Sequence, residues 1–391
     1  MYKYMNFEGK NELIQGEQEI SLEQKKSLGG IWADMIIDDS CILQNISELE
    51  PEEFKKELYR KTIEDIDNLI IEWNLQADPK LIESIQKTEN IDSKAALELE
   101  YIKKEHAQVD DVAQKFDRLS EKSTKWDSWP KKMRESKGFN CVGATLLGMS
   151  LLDKGGIKSY YGTPHGHAVN IAKLSNGDWW YVDFRNGKQN VIKINPEEIT
   201  LDSVPVLKIN NPDIAYRFIP IHDNSEIVGS ILGNLASLKQ EAEDQDTSNE
   251  TIEKKEAKEY LNKYKQNFRE VDFSSLLQSL CPNLVKVEET EEMKNEKRRI
   301  DMIMNLEKPF QDYLKTLSKE KVRNIFEEAK KQKEAIENLF RKDDTSVFLN
   351  ISSELKKALE VLLESLKLIK EKPEIYQENI DIIVNKMIKL E

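Results

Sequence analysis

The sequence predicts an α+β protein in which a central helix packs on a mostly antiparallel sheet, with large all-α flanks before and after it. Three observations support this prediction. Apolar residues recur at helical spacing from residue 51 onward and again beyond residue 258. Between residues 138 and 221, glycine is frequent and β-forming residues cluster in short runs. One helix followed by several strands is an α+β order.

The N-terminal region, 1–124, is predicted to be helical and to act as a cap, although residues 1–40 are ambiguous. Pro51 suits a first helical turn, and the acidic residues after it match the helix dipole. Six apolar residues then fall on one face: Phe54, Leu58, Ile66, Leu69, Ile70 and Trp73. Asp78-Pro79 breaks this helix, and further helices are expected near 79–87, 93–105 and 108–122.

The central region, 125–222, carries the predicted sheet. A helix begins at Cys141 and ends before Gly155-Gly156, which is a good helix-ending signal. Six strands are expected after it, at about 157–162, 167–174, 178–184, 189–194, 204–209 and 215–221.

The C-terminal part divides into a polar segment and a helical region. Residues 223–258 include a polar, acidic stretch and are expected to be a linker or an exposed helix. Residues 259–391 are expected to be helical. Leucines near the end step by four and three residues, as in a short coiled-coil seam. Only two heptads show this spacing, which favours an ordinary bundle helix, and Pro373 ends it.

Composition limits the classes of partner. The chain has 391 residues, enough for two or three domains, and its formal net charge is −14. This charge argues against general binding to nucleic acid or to an anionic membrane. No apolar run is long enough to span a bilayer, and the N-terminus lacks the apolar segment of a secretory signal. We therefore expect a cytoplasmic protein without a nucleic-acid or membrane partner.

The cysteines and histidines are few. The three cysteines are far apart and odd in number, which does not suggest a disulfide framework but fits a reducing compartment. No CxxC or HxxxH pair is present, and His165 with His167 alone makes a poor zinc site. No metal and no other cofactor is expected.

Cys141 stands where a loop enters the helix VGATLLGMSLLD. A helix N-terminus carries roughly half a positive charge and free N–H groups. Both favour the thiolate, which is the nucleophilic form of cysteine, and the N–H groups can also hold an oxyanion. The competing interpretation is a small buried hydrophobic residue, which is the usual role of a lone cysteine.

A cysteine nucleophile needs a base and a group that orients the base. His167 begins one predicted strand and Asp183 lies near the end of the next, with Ser-Asn-Gly between the strands. A three-residue loop with Gly177 in the left-handed conformation would pair Leu174 with Asp178 and place His167 and Asp183 on one face. A two-residue loop would place them on opposite faces. A triad therefore requires the longer loop or a bulge.

The segments NCVGATLLGMSLL, HAVNIAKL and GDWWYVDF, in this order, resemble the core of the transglutaminase-like superfamily over about residues 105–195. The resemblance implies a papain-like triad with Cys141 as nucleophile, His167 as general base and Asp183 as the orienting residue. The chain differs from many members at Val169, where a Trp is common. The resemblance does not fix the reaction, because the superfamily includes transglutaminases, peptidases, deamidases, peptide N-glycanases and inactive relatives.

Other residues are alternatives or possible neighbours of the triad. His165 is a rival base, but it precedes Gly166 and is expected in the loop before the strand. Trp179 is either a wall of the cleft or a core residue. His106 and His222 are expected to be surface or packing residues. The candidates for a side-chain oxyanion donor are Trp126, Trp129 and Asn140.

Two functions follow from these residues. The first is thiol-dependent acyl transfer or hydrolysis on an amide or peptide substrate, by a peptidase, deamidase or transglutaminase. The second is a non-catalytic transglutaminase-like module that binds a protein. A complete Cys/His/Asp set favours the enzyme. A protein or peptide substrate is expected, and the helical flanks are expected to cover the cleft, bind a protein partner or self-associate.

Overall fold

The structure is a computed structural model of the chain. It describes residues 49–75, 77–115, 128–185, 190–201, 203–211, 213–243, 258, 271–285, 290–342 and 345–367. The described helices of the first part are α1 Pro51–Glu72, α2 Pro79–Lys87, α3 Ile91–Lys115, α4 Pro130–Ser136 and α5 Cys141–Lys154. The strands are β1 Lys158–Gly162, β2 Val169–Lys173, β3 Trp179–Val182, β4 Val191–Ile194, β5 Glu197–Leu201, β6 Val204–Lys208 and β7 Phe218–His222. The later helices are α6 Ile227–Glu243, α7 Phe273–Leu280, α8 Pro282–Val285, α9 Glu291–Lys315, α10 Lys319–Lys331, α11 Lys333–Lys342 and α12 Ser353–Lys367.

The strands form one curled, antiparallel sheet of seven strands in the order β4-β3-β2-β1-β7-β6-β5. The side-chain Nδ2 of Asn211, in the loop after β6, donates to the main-chain carbonyl of Lys193 in β4 at 3.3 Å. This contact connects the β4 edge of the sheet to a loop from its other half. The chain thus combines helices with an antiparallel sheet, which confirms the predicted α+β class.

The helix α5 packs on one face of this sheet. Its middle is apolar on all sides and buried, as expected for a helix enclosed by other elements. The Asn170 side chain of β2 donates to the Thr145 carbonyl of α5 at 3.3 Å. The opposite face of the sheet closes over a smaller apolar cluster that includes Ile171, Tyr181 and Leu207. Successive side chains along each strand point to alternate faces of the sheet, as the pleat requires.

The N-terminal helices belong to the same hydrophobic core as α5. The predicted stripe of α1 is buried at Phe54, Leu58, Ile66, Leu69 and Ile70, while Trp73 packs against the core only in part. Helix α1 ends at Glu72, six residues before the predicted break at Asp78-Pro79, and the Asp78 side chain caps α2 by accepting from the main-chain N–H of Lys80. The predicted break near residue 106 is wrong, because α3 runs without interruption from Ile91 to Lys115.

The segment after the sheet also differs from its prediction. Residues 223–258 were expected to be a linker or an exposed helix, yet α6 is largely buried in the core that holds α5. The apolar residues at its start explain the difference: Ile227, Val228, Ile231, Leu232 and Leu235 are each fully buried. The acidic residues 244–257 lie outside the described part of the chain.

The C-terminal helices form a hydrophobic cluster of their own. It is built from α9 to α12 and includes Phe310, Ile325, Leu339 and Leu355. The predicted leucine stripe contributes Leu355, Leu359 and Leu362 to this cluster, and the residues from 368 onward are outside the described ranges. Helices α7 and α8, in contrast, contribute to the core around α5. Among the described helices, none is long and apolar enough to cross a membrane.

Candidate active site

Cys141 is the first residue of α5. Asn140 caps the helix, because its side-chain oxygen accepts a hydrogen bond from the main-chain N–H of Gly143 at 3.0 Å. The Thr145 hydroxyl donates to the Cys141 carbonyl one turn later, at 2.8 Å. The cysteine forms no disulfide, and 3% of its surface is exposed. The helix dipole therefore acts directly on this thiol.

The hairpin of β2 and β3 has the three-residue loop that a triad requires. Leu174 pairs with Asp178 through a 2.9 Å main-chain hydrogen bond, and Gly177 has φ +89°. The ladder then pairs Ile171 with Tyr181. This part of the prediction is confirmed, and it follows from turn chemistry, because only glycine adopts that φ without strain.

His167 and Asp183 lie together at one end of this hairpin. His167 precedes β2 rather than beginning it as predicted, and Asp183 directly follows β3. The Nε2 atom of His167 donates to Oδ2 of Asp183 at 2.8 Å. Both side chains are buried, with 8% and 3% exposed. The pair is therefore formed away from bulk water.

Two further donors hold the Asp183 carboxylate. The main-chain N–H of Arg185 donates to Oδ1 at 3.0 Å, and the Tyr181 hydroxyl is 3.4 Å from Oδ2. Burial and the nearby Asp183 charge raise the pKa of Tyr181 well above its ordinary value, so this hydroxyl keeps its proton and donates. The carboxylate is stabilised as an anion that faces His167.

The electrostatics of His167 depend on its two neighbours. Burial alone would lower the pKa of this ring, but the charge of Asp183, the hydrogen bond to Asp183 and a hydrogen bond with Cys141 together raise it to about 9. Since Nε2 bonds to Asp183, Nδ1 is the ring nitrogen left for the thiol. An imidazolium placed between a carboxylate and a thiol favours the thiolate.

Tyr216 covers the His167 ring from the loop between β6 and β7. The two rings are stacked, with centroids 5.8 Å apart and planes inclined by 21°. The same loop contacts α9, because the Arg299 guanidinium donates to the Ala215 carbonyl at 2.5 Å and Glu296 accepts from the main-chain N–H of Arg217 at 3.2 Å. The site therefore has a tyrosine cover attached to a helix of the C-terminal cluster.

The other histidines have different positions. His165 lies in the turn before β2, where its Nε2 donates to Asp301 of α9 at 3.0 Å rather than to Asp183. Burial lowers the pKa of His222 to about 4, and its Nε2 contacts the Thr163 hydroxyl at 2.8 Å. His106 is 1% exposed and donates from Nε2 to the main-chain carbonyl of Asp183 at 2.8 Å. Of the expected surface and packing roles, the packing role is the one found, and His106 also contacts the site.

The predicted neighbours of the triad also have definite places. Trp179 has 8% of its surface exposed, packs against the Tyr160 ring and lies under the Lys173 ammonium group, so it belongs to the smaller core. Trp129 is fully buried before α4. Trp126 lies outside the described residues. Tyr181 and Tyr216, which contact the pair directly, were missed because nothing in their local sequence indicates a site.

No group of three or more His, Cys, Asp or Glu side chains within the described ranges is placed to hold a metal ion. The chemistry that these residues can perform is nucleophilic attack by the Cys141 thiolate, with His167 moving protons and Asp183 holding the ring.

In comparisons with known proteins, no family model, no curated protein and no solved structure matches this chain.

Proposed function

We propose that the chain is a cysteine-nucleophile enzyme of the transglutaminase-like type, which transfers or hydrolyses the acyl group of an amide or peptide substrate. One observation carries the proposal. His167 bonds at Nε2 to the buried Asp183 carboxylate and makes a second hydrogen bond with Cys141, which begins a helix. Nucleophile, base and orienting residue are thus joined in one chain of contacts.

The first half of the proposed reaction forms a thioester. The Cys141 thiolate attacks the substrate carbonyl carbon, and the carbonyl oxygen becomes an oxyanion. The C–N bond then breaks, and the His167 imidazolium gives its proton to the leaving amine or ammonia. His167 is neutral at the end of this step, and Asp183 keeps its ring in place throughout.

The second half resolves the thioester. Neutral His167 takes a proton from water or from an acceptor amine, which attacks the carbonyl carbon. The C–S bond breaks and returns the Cys141 thiolate beside an imidazolium. Water gives a carboxylic acid, so the enzyme is then a peptidase or deamidase. A lysine amine gives a new amide, so the enzyme is then a transglutaminase.

The start of α5 is suited to hold the oxyanion. The first N–H groups of a helix have no partner within the helix, and the dipole favours negative charge beside them. Asn140 uses its side-chain oxygen to bind the Gly143 N–H. The N–H of Cys141 itself is nearest to the attacking sulfur, so we assign the main oxyanion contact to this group.

The architecture supports the transglutaminase-like assignment at the level of chain order. The nucleophile begins the helix that packs on the sheet, and the base and the carboxylate follow on the ends of two adjacent antiparallel strands. We expect the substrate to be a protein or peptide and the compartment to be reducing, since the reaction requires a free thiol.

One observation favours the alternative, a protein-binding module without turnover. Cys141, His167 and Asp183 are all nearly inaccessible, and Tyr216 covers the histidine. A catalytic site of this form has to open for a large substrate. The two functions differ in the reactivity that they require of Cys141, because a binding module has no use for a thiolate.

The experiment compares the three cysteines within one molecule. The protein is treated with a small thiol-directed electrophile at pH 6–7, and alkylation at each site is followed by mass spectrometry. Cys281 is the internal control, since it is fully buried and burial, followed by the nearby Glu226, raises its pKa. Cys41 lies outside the described residues and serves as a second comparison.

We expect Cys141 to react about tenfold faster than either of the others, because its thiolate is already formed at this pH. His167→Gln is expected to remove the advantage. If Cys141 reacts no faster than Cys281 in the folded protein, and equally fast in His167→Gln, the catalytic proposal fails and the binding module becomes the better account.

A further inference from the structure

His106 lies on the buried face of α3. It continues a stripe in which Ile102, Val109 and Ala113 are also buried. Its Nε2 contacts the main-chain carbonyl of Asp183 at 2.8 Å. A carbonyl oxygen only accepts hydrogen bonds, so Nε2 must carry the hydrogen in this contact. The residue therefore needs no positive charge to make it.

The same region connects His106 to the helix of the nucleophile. The His106 ring lies against Phe184, with centroids 5.4 Å apart. Phe184 in turn packs directly on Gly148 of α5, where an added Cβ would lie 2.4 Å from the phenyl ring. Gly148 is two helical turns after Cys141 and shares its face. Helix α3, the end of β3 and helix α5 thus form one close-packed stack.

Helix α3 also holds the other end of the hairpin. The buried Glu98 carboxylate accepts from the main-chain N–H of Ser175 at 2.8 Å and from the Ser175 hydroxyl. Glu98 and His106 are separated by about 12 Å along the helix axis, from the rise per residue of an α-helix. The hairpin is therefore fixed to α3 at its turn and at Asp183.

We propose that His106 is a positioning residue for the triad: by holding the main-chain carbonyl of Asp183, it fixes the Asp183 carboxylate against His167. This inference rests on the proposed function. Asp183 stands beyond the last residue of β3, where its main-chain N–H donates to the Asn190 carbonyl at 3.0 Å, and the His106 contact supplies the anchor on its carbonyl side. The Arg185 N–H that binds the carboxylate belongs to the same segment and moves with it.

Three variants separate positioning from packing. His106→Leu keeps most of the volume but removes the donor. His106→Gln keeps an N–H donor at about the same distance from the main chain as Nε2 of the histidine. Tyr101→Phe is the matched control on the same helix, because it removes another buried hydrogen bond, from the Tyr101 hydroxyl to the Leu151 carbonyl at 2.8 Å. That bond is made at the C-terminal end of α5, away from the triad.

The measurement is the titration of the His167 ring by NMR in the full chain, with Asp183→Asn as the reference for a lost carboxylate. We expect His106→Leu to lower the pKa of His167 by about one pH unit, in the same direction as Asp183→Asn, because the carboxylate no longer faces the ring. His106→Gln is expected to restore most of the shift, and Tyr101→Phe is expected to leave the titration unchanged.

The outcomes distinguish the two proposals. If Asp183→Asn lowers the pKa of His167 and His106→Leu does not, His106 only packs and the inference is wrong while the triad stands. If Asp183→Asn leaves the titration unchanged, the triad itself is wrong. Should His106→Leu fail to fold, His106→Asn replaces it, because its shorter side chain does not reach the carbonyl and the same comparison with His106→Gln applies.

Discussion

Helices α3 and α9 both reach the candidate site, but they do so in different ways. Helix α3 belongs to the large hydrophobic core and binds main-chain atoms of the β2–β3 hairpin and of Asp183 through Glu98 and His106. Helix α9 contributes Phe310 to the separate C-terminal cluster and meets the sheet through polar groups, among them Arg299.

This difference assigns different roles to the two flanks. Removing α3 from the fold would expose the core itself, so the first flank is part of the structure that shapes the triad. The described contacts of α9 with the loop before β7 are charged or polar, and the Arg299 and Glu296 side chains that make them are buried, with 10% and 7% exposed, so separating them is costly. The second flank is thus suited to hold the loop that carries Tyr216.

Ile102→Ala is expected to have the largest effect. Ile102 is fully buried in α3, so the substitution leaves a cavity and should lower the free energy of unfolding by about 2–5 kcal/mol. Urea unfolding of the full chain, followed by tryptophan fluorescence, gives the value. Leu99→Ala on the same helix is the control, since Leu99 is only partly buried and should cost less. Equal and small losses would show that α3 is not integrated into the core.

The pH dependence of stability should report the hairpin that α3 holds. The pKa of His167 is raised from 6.5 to about 9 in the folded protein. Its contribution is therefore fully present below pH 6.5 and is lost as pH rises through 9, by on the order of 3 kcal/mol. His167→Gln should flatten this limb. A wild-type free energy of unfolding that stays constant from pH 6.5 to 9.5 would contradict the raised pKa.

On the acid side of the same profile, the free energy of unfolding should decrease as pH falls rather than as pH rises. Burial lowers the pKa of His222 from 6.5 to about 4, so its contribution is present above pH 6.5 and is lost as pH falls toward 4. His222→Gln should reduce the loss of stability over that range without altering the alkaline limb. A His222→Gln variant with the wild-type acid limb would show that this ring does not titrate as the structure indicates.

Arg299→Met should have a smaller and more local effect. It removes the hydrogen bond to the Ala215 carbonyl and the partner of Glu296, while keeping a side chain of similar length. We expect amide exchange at residues 213–217 to accelerate by about tenfold, since a contact of roughly 1–2 kcal/mol is lost there. Arg298→Met is the matched control, because Arg298 is exposed and bonds only within α9 in the contacts described, to Asn295. Equal exchange in both variants would contradict a specific attachment of the loop to α9.

The parts of the fold that local chemistry determines could be predicted from the sequence. Gly177 fixes the hairpin loop, and Asp78-Pro79 fixes the start of α2. All six predicted strands are present, with ends displaced by up to three residues. Strand β5 was missed because EEITL has no clear apolar alternation, as is common for an edge strand with one neighbour. The burial of α6 was not predicted, because the acidic residues that follow this helix indicated a linker or an exposed helix for the whole segment.

The candidate site could be predicted only in part, for a physical reason. Cys141, His167 and Asp183 are placed by a helix start and one hairpin, which are local features. His106 comes from a helix 77 residues away from Asp183 in the sequence, and Tyr216 comes from a loop beyond β6. Such contacts depend on tertiary packing, and the spacing of His106 on an apolar helix face indicates burial but not its partner.

The state of the Cys141 sulfur tests the central claim most directly. The ultraviolet absorbance of the thiolate is titrated in the wild-type protein and in Cys141→Ser, and the difference between them isolates this one residue. If His167 is an imidazolium held by Asp183, the difference spectrum should show a thiolate already at pH 6, and Asp183→Asn should move its appearance to higher pH. A Cys141 thiolate that appears only near pH 8.5, as in an ordinary cysteine, and equally in Asp183→Asn, would contradict the triad.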